Sequence, residues 1–166
     1  MNIMRPGPTI LVVDDSPVCR TVLRVALSRA GYQVQTCSDG LSALSTLASP
    51  GAPPPDLLLL DWLLPHLSGL QLTYLLRHQT RYPQLSRLPI LMLSCRHSTL
   101  DRLKARLAGA SAFLAKPFTI SDLLTTVQHL LTLAPPHLSP SPLPPSAPPL
   151  PPAPWSLSPP SFFPSS

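Results

Sequence analysis

Apolar residues along this chain follow two alternating patterns. Short unbroken runs at 10–13, 57–60, 90–93 and 112–115 have the length and composition of strands buried on both faces. Between them, apolar residues recur every three or four positions, the spacing that lines one face of a helix. Val18, Val22, Leu23, Ala26, Leu27 and Ala30 predict the first helix, with Ser16 as its cap, Pro17 in its first turn and Gly31 as its stop. A second strand at 33–37 precedes a short helix over about 41–47, and 50–55 reads as a stiff proline-containing loop. The third strand leads through Pro65 and Gly69 into a helix ending near Arg77, and 82–89 reads as a connector to the fourth strand. Leu100, Leu103 and Leu107 mark the fourth helix. Ile120, Leu123, Leu124, Val127, Leu130 and Leu131 give the fifth helix a buried stripe. Five strand–helix units in this span predict one α/β domain, a doubly wound parallel sheet over 9–133 with a short extension at 1–8.

Composition ends that domain before the chain ends. Of 25 prolines, 14 lie at or beyond Pro135, and no Lys, Arg, Asp or Glu follows Asp122. The segment 134–166 therefore reads as a disordered, proline-rich tail sampling extended conformations. It carries PxxP spacings such as Pro142 to Pro145, with Trp155, Phe162 and Phe163 as its candidate anchors. The last helix is complete at Leu133, so the tail is expected to be dispensable for folding. The net charge of +5 is spread through the first part without a recognised nucleic-acid module, so no direct nucleic-acid contact is expected. Cys19, Cys37 and Cys95 lack disulfide-framework or zinc spacing and read as reduced thiols. No segment has the apolar length of a membrane span, and the N-terminus carries no apolar leader, so a cytoplasmic protein without membrane insertion is expected.

The candidate chemistry lies where the apolar runs stop. Asp14 and Asp15 follow the first run, Asp61 the third strand, Ser94 the fourth and Lys116 the fifth. Parallel strands would bring all five residues to the sheet edge where ligands bind in open α/β folds. Three carboxylates gathered there repel one another unless a cation intervenes, and Mg²⁺ takes oxygen ligands while bridging carboxylates to phosphoryl groups. A phosphoryl group on Asp61 would find the Lys116 ammonium and the Ser94 hydroxyl nearby. Singly, each residue has an ordinary role: Asp14 and Asp15 as caps, Asp61 as a turn former, Ser94 as a loop hydroxyl, Lys116 as a solvated charge. Their ordered occurrence at successive strand ends favours the shared site.

The segments Val12-Val-Asp-Asp-Ser16, Asp61-Trp-Leu-Leu-Pro-His-Leu-Ser-Gly69, Leu93-Ser94 and Gly109-Ala-Ser-Ala-Phe-Leu-Ala-Lys-Pro-Phe118 resemble the receiver domains of two-component response regulators. The resemblance implies a flavodoxin-like sheet of order 2-1-3-4-5 flanked by five helices. It implies that Asp61 accepts a phosphoryl group from a sensor histidine kinase or a phosphotransfer protein. Mg²⁺ would be held by Asp14, Asp15, Asp61 and the backbone carbonyl of Leu63. Ser94 and Lys116 would contact the phosphoryl oxygens, and Phe113 would rotate inward behind Ser94. This would reshape the surface of the fourth helix, fifth strand and fifth helix for a downstream target protein. The resemblance also implies a cis Lys116-Pro117 bond, and a signalling switch that catalyses only its own phosphorylation and dephosphorylation. The segment from Met92 to Gly109 is similar to stand-alone regulators of twitching motility and chemosensory systems. Two positions depart from the common pattern: Phe113 where many members have Tyr, and Cys95 where Ala is usual.

Other classes fit less well. A flavin carrier of the same topology needs a phosphate-binding loop where this chain has Asp14-Asp15-Ser16-Pro17, and a nucleotide hydrolase needs a P-loop motif that is absent. A phosphorylation-independent adaptor remains the alternative. Between Arg96 and Arg106, four basic residues face one acid, Asp101, so the fourth predicted helix is expected to present a basic surface to its target.

Overall fold

The computed structural model describes residues 7–78 and 83–134. The expectations for the tail beyond Ala134 lie outside the described residues. The elements are β1 (Thr9–Val13), α1 (Pro17–Arg29), β2 (Gln33–Cys37), α2 (Gly40–Leu47), β3 (Leu57–Asp61), α3 (Gly69–His78), α4 (Pro83–Ser86), β4 (Ile90–Ser94), α5 (Thr99–Ala108), β5 (Ala112–Ala115) and α6 (Ile120–Leu133). The five strands form one parallel sheet in the order β2-β1-β3-β4-β5.

Side chains on a strand alternate between faces, and the central strands are apolar on both. Leu11, Leu58, Leu60, Ile90 and Met92 point to one side, against Ala43, Leu72, Leu76, Leu85 and Ala105 from α2 to α5. Ile10, Val12, Leu57, Leu59, Leu91 and Leu93 point to the other, against Leu23 and Leu27 of α1 and Leu123, Val127 and Leu130 of α6. Five buried residues in each of β3 and β4 make this layer the floor of the site above it.

Helix ends follow local chemistry. The Ser16 hydroxyl accepts the Cys19 N–H, Pro17 opens α1, and Gly31 follows its last turn at φ +93°. Thr119 and Asp122 form a reciprocal capping box at α6. Asp39 caps α2, starting it at Gly40.

Several expectations are corrected. There are six helices in the described residues, because the predicted connector at 82–89 contains the single turn Pro83–Ser86. It buries Leu85 against α3 and the sheet, and one turn is too short to show a helical period in sequence. The surface expected from the fourth helix, fifth strand and fifth helix is therefore α5, β5 and α6. The edge strand β5 is half-buried rather than buried, since only β4 flanks it. Ile120 is exposed rather than part of the buried stripe, as are Val18 and Val22 of α1 and Ala30 at its C-cap. The sheet covers only the helix stripe facing it. Val22 and Ile120 instead line a shallow groove of about 530 Å³ between α1 and α6.

Arg77 binds three segments together. Its side chain donates from Nε to the Gly109 carbonyl (2.8 Å) and from Nη1 to the carbonyls of Leu88 (2.9 Å) and Ser86 (3.1 Å). Gly109, at φ +104° after α5, leaves the space that the Arg77 side chain fills.

Candidate functional site

The carboxyl ends of β1, β3, β4 and β5 meet at one edge and bring the predicted site residues together. Asp61 and Ser94 are the last residues of β3 and β4, while Asp14, Asp15 and Lys116 follow β1 and β5. Carboxylate oxygens of Asp14, Asp15 and Asp61 lie within 4.8 Å of one another, with Asp14 and Asp61 buried and Asp15 exposed. Lys116 reaches across from β5, its Nζ 2.9 Å from Asp14 Oδ2 and 3.4 Å from Asp61 Oδ2. One ammonium faces three carboxylates. That residual negative charge, presented by oxygens alone with one exposed ligand, fits a hard divalent cation.

Neighbouring groups hold this arrangement in place. Asp14 Oδ1 accepts the Ser16 N–H (2.8 Å), and Arg20 donates from Nη1 to the Asp14 carbonyl (2.7 Å), tying the loop after β1 to α1. The Trp62 N–H donates to the Leu93 carbonyl and the Lys116 N–H to the Ser94 carbonyl, both at 2.8 Å. These bonds lock the register of β3, β4 and β5 at the site. A side chain on Gly69 would strike the Asp61 carbonyl and crowd Trp62, so glycine lets α3 begin directly beneath Asp61. Lys116-Pro117 is cis, as the sequence resemblance implied. The fully buried Ser94 accepts the Arg96 N–H on its Oγ at 2.9 Å.

Electrostatics follow from burial. Loss of water raises the Asp61 pKa and the charge of Asp14 adds to it, with Lys116 and the Leu63 backbone amide opposing. Burial pulls Lys116 down, but its hydrogen bond to Asp14 and the charges of Asp61 and Asp14 outweigh that, leaving its pKa raised.

An aromatic path runs away from Asp61. Trp62 is buried and meets Phe113 edge-on, ring centroids 6.5 Å apart, and the Arg102 guanidinium of α5 sits 5.6 Å over the Phe113 ring. Phe113 was legible in sequence. The roles of Arg20, Arg77 and Arg102 were not, because each arginine meets its partner only through the fold. The three cysteines are free thiols.

The family model for the response regulator receiver domain matches residues 10–128. The chain belongs to this family. The receiver domain is 40% identical over 121 residues to the response regulator MprA of Mycobacterium avium, an alignment covering 73% of this chain and 50% of MprA. It thus spans about half the length of the curated relatives it matches. Among solved structures, it is similar to the chemotaxis protein CheY4 of Vibrio cholerae (32% identity, TM-score 0.67, covering 75% of this chain and 98% of that one). It is also similar to the receiver domain of the sensor histidine kinase PA1611 of Pseudomonas aeruginosa PAO1 (33% identity, TM-score 0.65, covering 76% and 98%), whose cleft coordinates a magnesium ion. Among the described residues, no helix is long and apolar enough to cross a membrane.

The raised Asp61 pKa has a stability consequence. The folded receiver domain holds this proton more tightly than the unfolded chain, so ionised Asp61 subtracts stability in full above its raised folded pKa, the penalty fades as pH falls through that pKa, and it is gone below the ordinary value of 3.8. Asp61→Asn is expected to stabilise the metal-free protein at neutral pH by about 1 kcal/mol, or roughly 4 °C in Tm. The gain should shrink in acid, and Mg²⁺ should stabilise the wild type more than the variant. Thermal unfolding of both proteins against pH and Mg²⁺ measures this, and a variant less stable than wild type at pH 7 without metal contradicts it.

Proposed function

We propose that this receiver domain, over 9–133, is a phosphorylation switch in which Asp61 accepts a phosphoryl group from a phosphohistidine of a sensor histidine kinase or phosphotransfer protein. The observation that carries the reading is the close grouping of the three carboxylates with Lys116 spanning Asp14 and Asp61. An Asp61 oxygen forms the new O–P bond as the donor's P–N bond breaks, and the departing imidazole takes up a proton. Asp14, Asp15, Asp61 and the Leu63 carbonyl would hold a Mg²⁺ ion, which would neutralise the phosphoryl charge. Lys116 exchanges its contact with Asp61 for a phosphoryl oxygen, and Ser94 donates its hydroxyl to another.

The movement of Ser94 opens space into which Phe113 turns, changing the Arg102 contact and the α5-β5-α6 surface that a downstream target protein reads. The receiver domain catalyses only its own phosphorylation and dephosphorylation. Its likeness to the chemotaxis protein CheY4 and the resemblance of its 92–109 segment to twitching-motility regulators support a role in phosphorelay signalling, chemosensory or pilus-based, and its three free thiols suit the cytoplasm.

Incubation with acetyl phosphate and Mg²⁺ should add one phosphoryl mass on Asp61. EDTA and Asp61→Asn should each abolish the gain. A full mass gain in the variant, or without divalent metal, would show that the switch operates elsewhere or is absent, leaving an adaptor.

A further inference from the structure

The parallel sheet has two edges, and the chain guards them differently. It leaves the short edge strand β5 through Lys116-Pro117, a charge and a proline of the kind that discourage further strand pairing. The other edge strand, β2, has neither. Gln33-Val-Gln-Thr-Cys37 is uncharged and free of proline, and its Gln33, Gln35 and Thr36 are exposed. Among the described residues, β2 pairs with β1 alone.

The bonds to β1 fix which backbone groups remain on the outside. The Gln33 N–H donates to the Pro8 carbonyl (2.9 Å) and the Cys37 carbonyl accepts the Asp14 N–H (3.3 Å), so residues 33, 35 and 37 turn their amides and carbonyls inward. Val34 and Thr36 turn theirs outward, where no described strand meets them. A second copy of β2 related by a two-fold axis would run antiparallel to the first. The two-fold register that uses all five residues is centred on Gln35. Gln35 then faces its own copy, Gln33 faces Cys37, and Val34 exchanges both outward hydrogen bonds with Thr36. No like charges oppose one another. The Asp39 end of each strand also lies against the Gly31 end of the other, beside the exposed Arg29 that closes α1, so opposite charges flank both ends of the seam.

We propose that β2 is a self-association edge that pairs antiparallel with β2 of a second copy of this chain, joining two five-stranded sheets into one. The pairing does not draw on phosphorylation. It points the two Asp61 edges in opposite directions and leaves β5 at both outer ends, so both acceptor sites and both α5-β5-α6 faces stay open. A seam of five residues is small for an interface, and the association is therefore weak and concentration-dependent.

Sedimentation velocity on the full, unphosphorylated chain, from micromolar concentrations up to about 1 mM, is expected to show a reversible monomer–dimer equilibrium. Gln35→Lys and Gln35→Glu, each alone, should weaken dimerisation at least about tenfold by opposing like charges, and an equimolar mixture of the two should associate again. Thermal unfolding checks that both variants remain folded, as an exposed position allows. Gln35→Cys should form a disulfide-linked dimer under copper–phenanthroline oxidation, because its non-hydrogen-bonded pair sets the Cα atoms about 4.5 Å apart. The wild type, whose exposed Cys95 samples chance collisions, should cross-link far less. A monomer at every concentration, a dimer indifferent to both charge substitutions, a mixture that stays monomeric, or Gln35→Cys cross-linking at the wild-type level overturns the proposal.

Discussion

Lys116→Ala is expected to leave Asp61 open to phosphorylation, abolish the conformational response, and lower the stability of the metal-free protein by about 3 kcal/mol. Lys116 is the ammonium set between two buried carboxylates, 2.9 Å from Asp14 and 3.4 Å from Asp61. Removing it leaves both without that partner in a site where burial already resists the charge on Asp61. A raised lysine pKa contributes stability that is complete below the ordinary value of 10.5 and lost as pH passes the raised one, so the deficit should be constant across neutral pH. Mg²⁺ should restore much of it by replacing the missing positive charge.

The signalling half of the prediction rests on geometry. Lys116 is bonded through its backbone to Ser94 and follows directly on β5, which holds Phe113 against Trp62. Without the ammonium, a phosphoryl group on Asp61 has no tether to that strand. Trp62 fluorescence reports the outcome, measured in a Trp155→Phe background because the chain has 2 tryptophans. A wild-type fluorescence change on treatment with acetyl phosphate, in a Lys116→Ala protein shown by mass to be phosphorylated, would refute the role.

The second large effect is far from the chemistry. Arg77→Ala is expected to cost about 3–5 kcal/mol, because the carbonyls of Gly109, Leu88 and Ser86 lose their shared donor and a cavity opens under α5. Burial lowers the Arg77 pKa, yet a guanidinium stays charged, and its Nε and Nη1 reach three carbonyls in two directions at once. Arg77→Lys should recover only part of the loss, since one ammonium cannot follow the fork in both directions. Urea unfolding of the three proteins gives the comparison. A midpoint for Arg77→Ala within error of wild type would show that backbone contacts alone hold these segments. Phosphorylation of Asp61 in whatever fraction stays folded should be unchanged, because Arg77 lies at the opposite end of α3 from Gly69.

Much of this receiver domain was legible in the sequence because its signals are local. The apolar runs of β1, β3 and β4 are buried strands whatever surrounds them, Ser16-Pro17 starts a helix by its own chemistry, and parallel strands must deliver the residues at their ends to one edge. That was sufficient to name Asp14, Asp15, Asp61, Ser94 and Lys116 as neighbours. The resemblance supplied the strand order and the cis proline.

Tertiary structure decided what depends on partners distant in sequence. Lys116 and Asp14 are separated by 102 residues, and only the sheet brings the ammonium to 2.9 Å from the carboxylate rather than leaving it in solvent. Periodicity places Leu100, Leu103 and Leu107 on one face but does not say whether that face meets the core. The packing turns Ala105 inward and the leucines out, because α5 must approach α3 closely and a small residue permits it. On α6 the sheet covers Leu123 and leaves Ile120 outside it. Helical spacing defines a face, and the neighbouring layer determines how much of that face is covered.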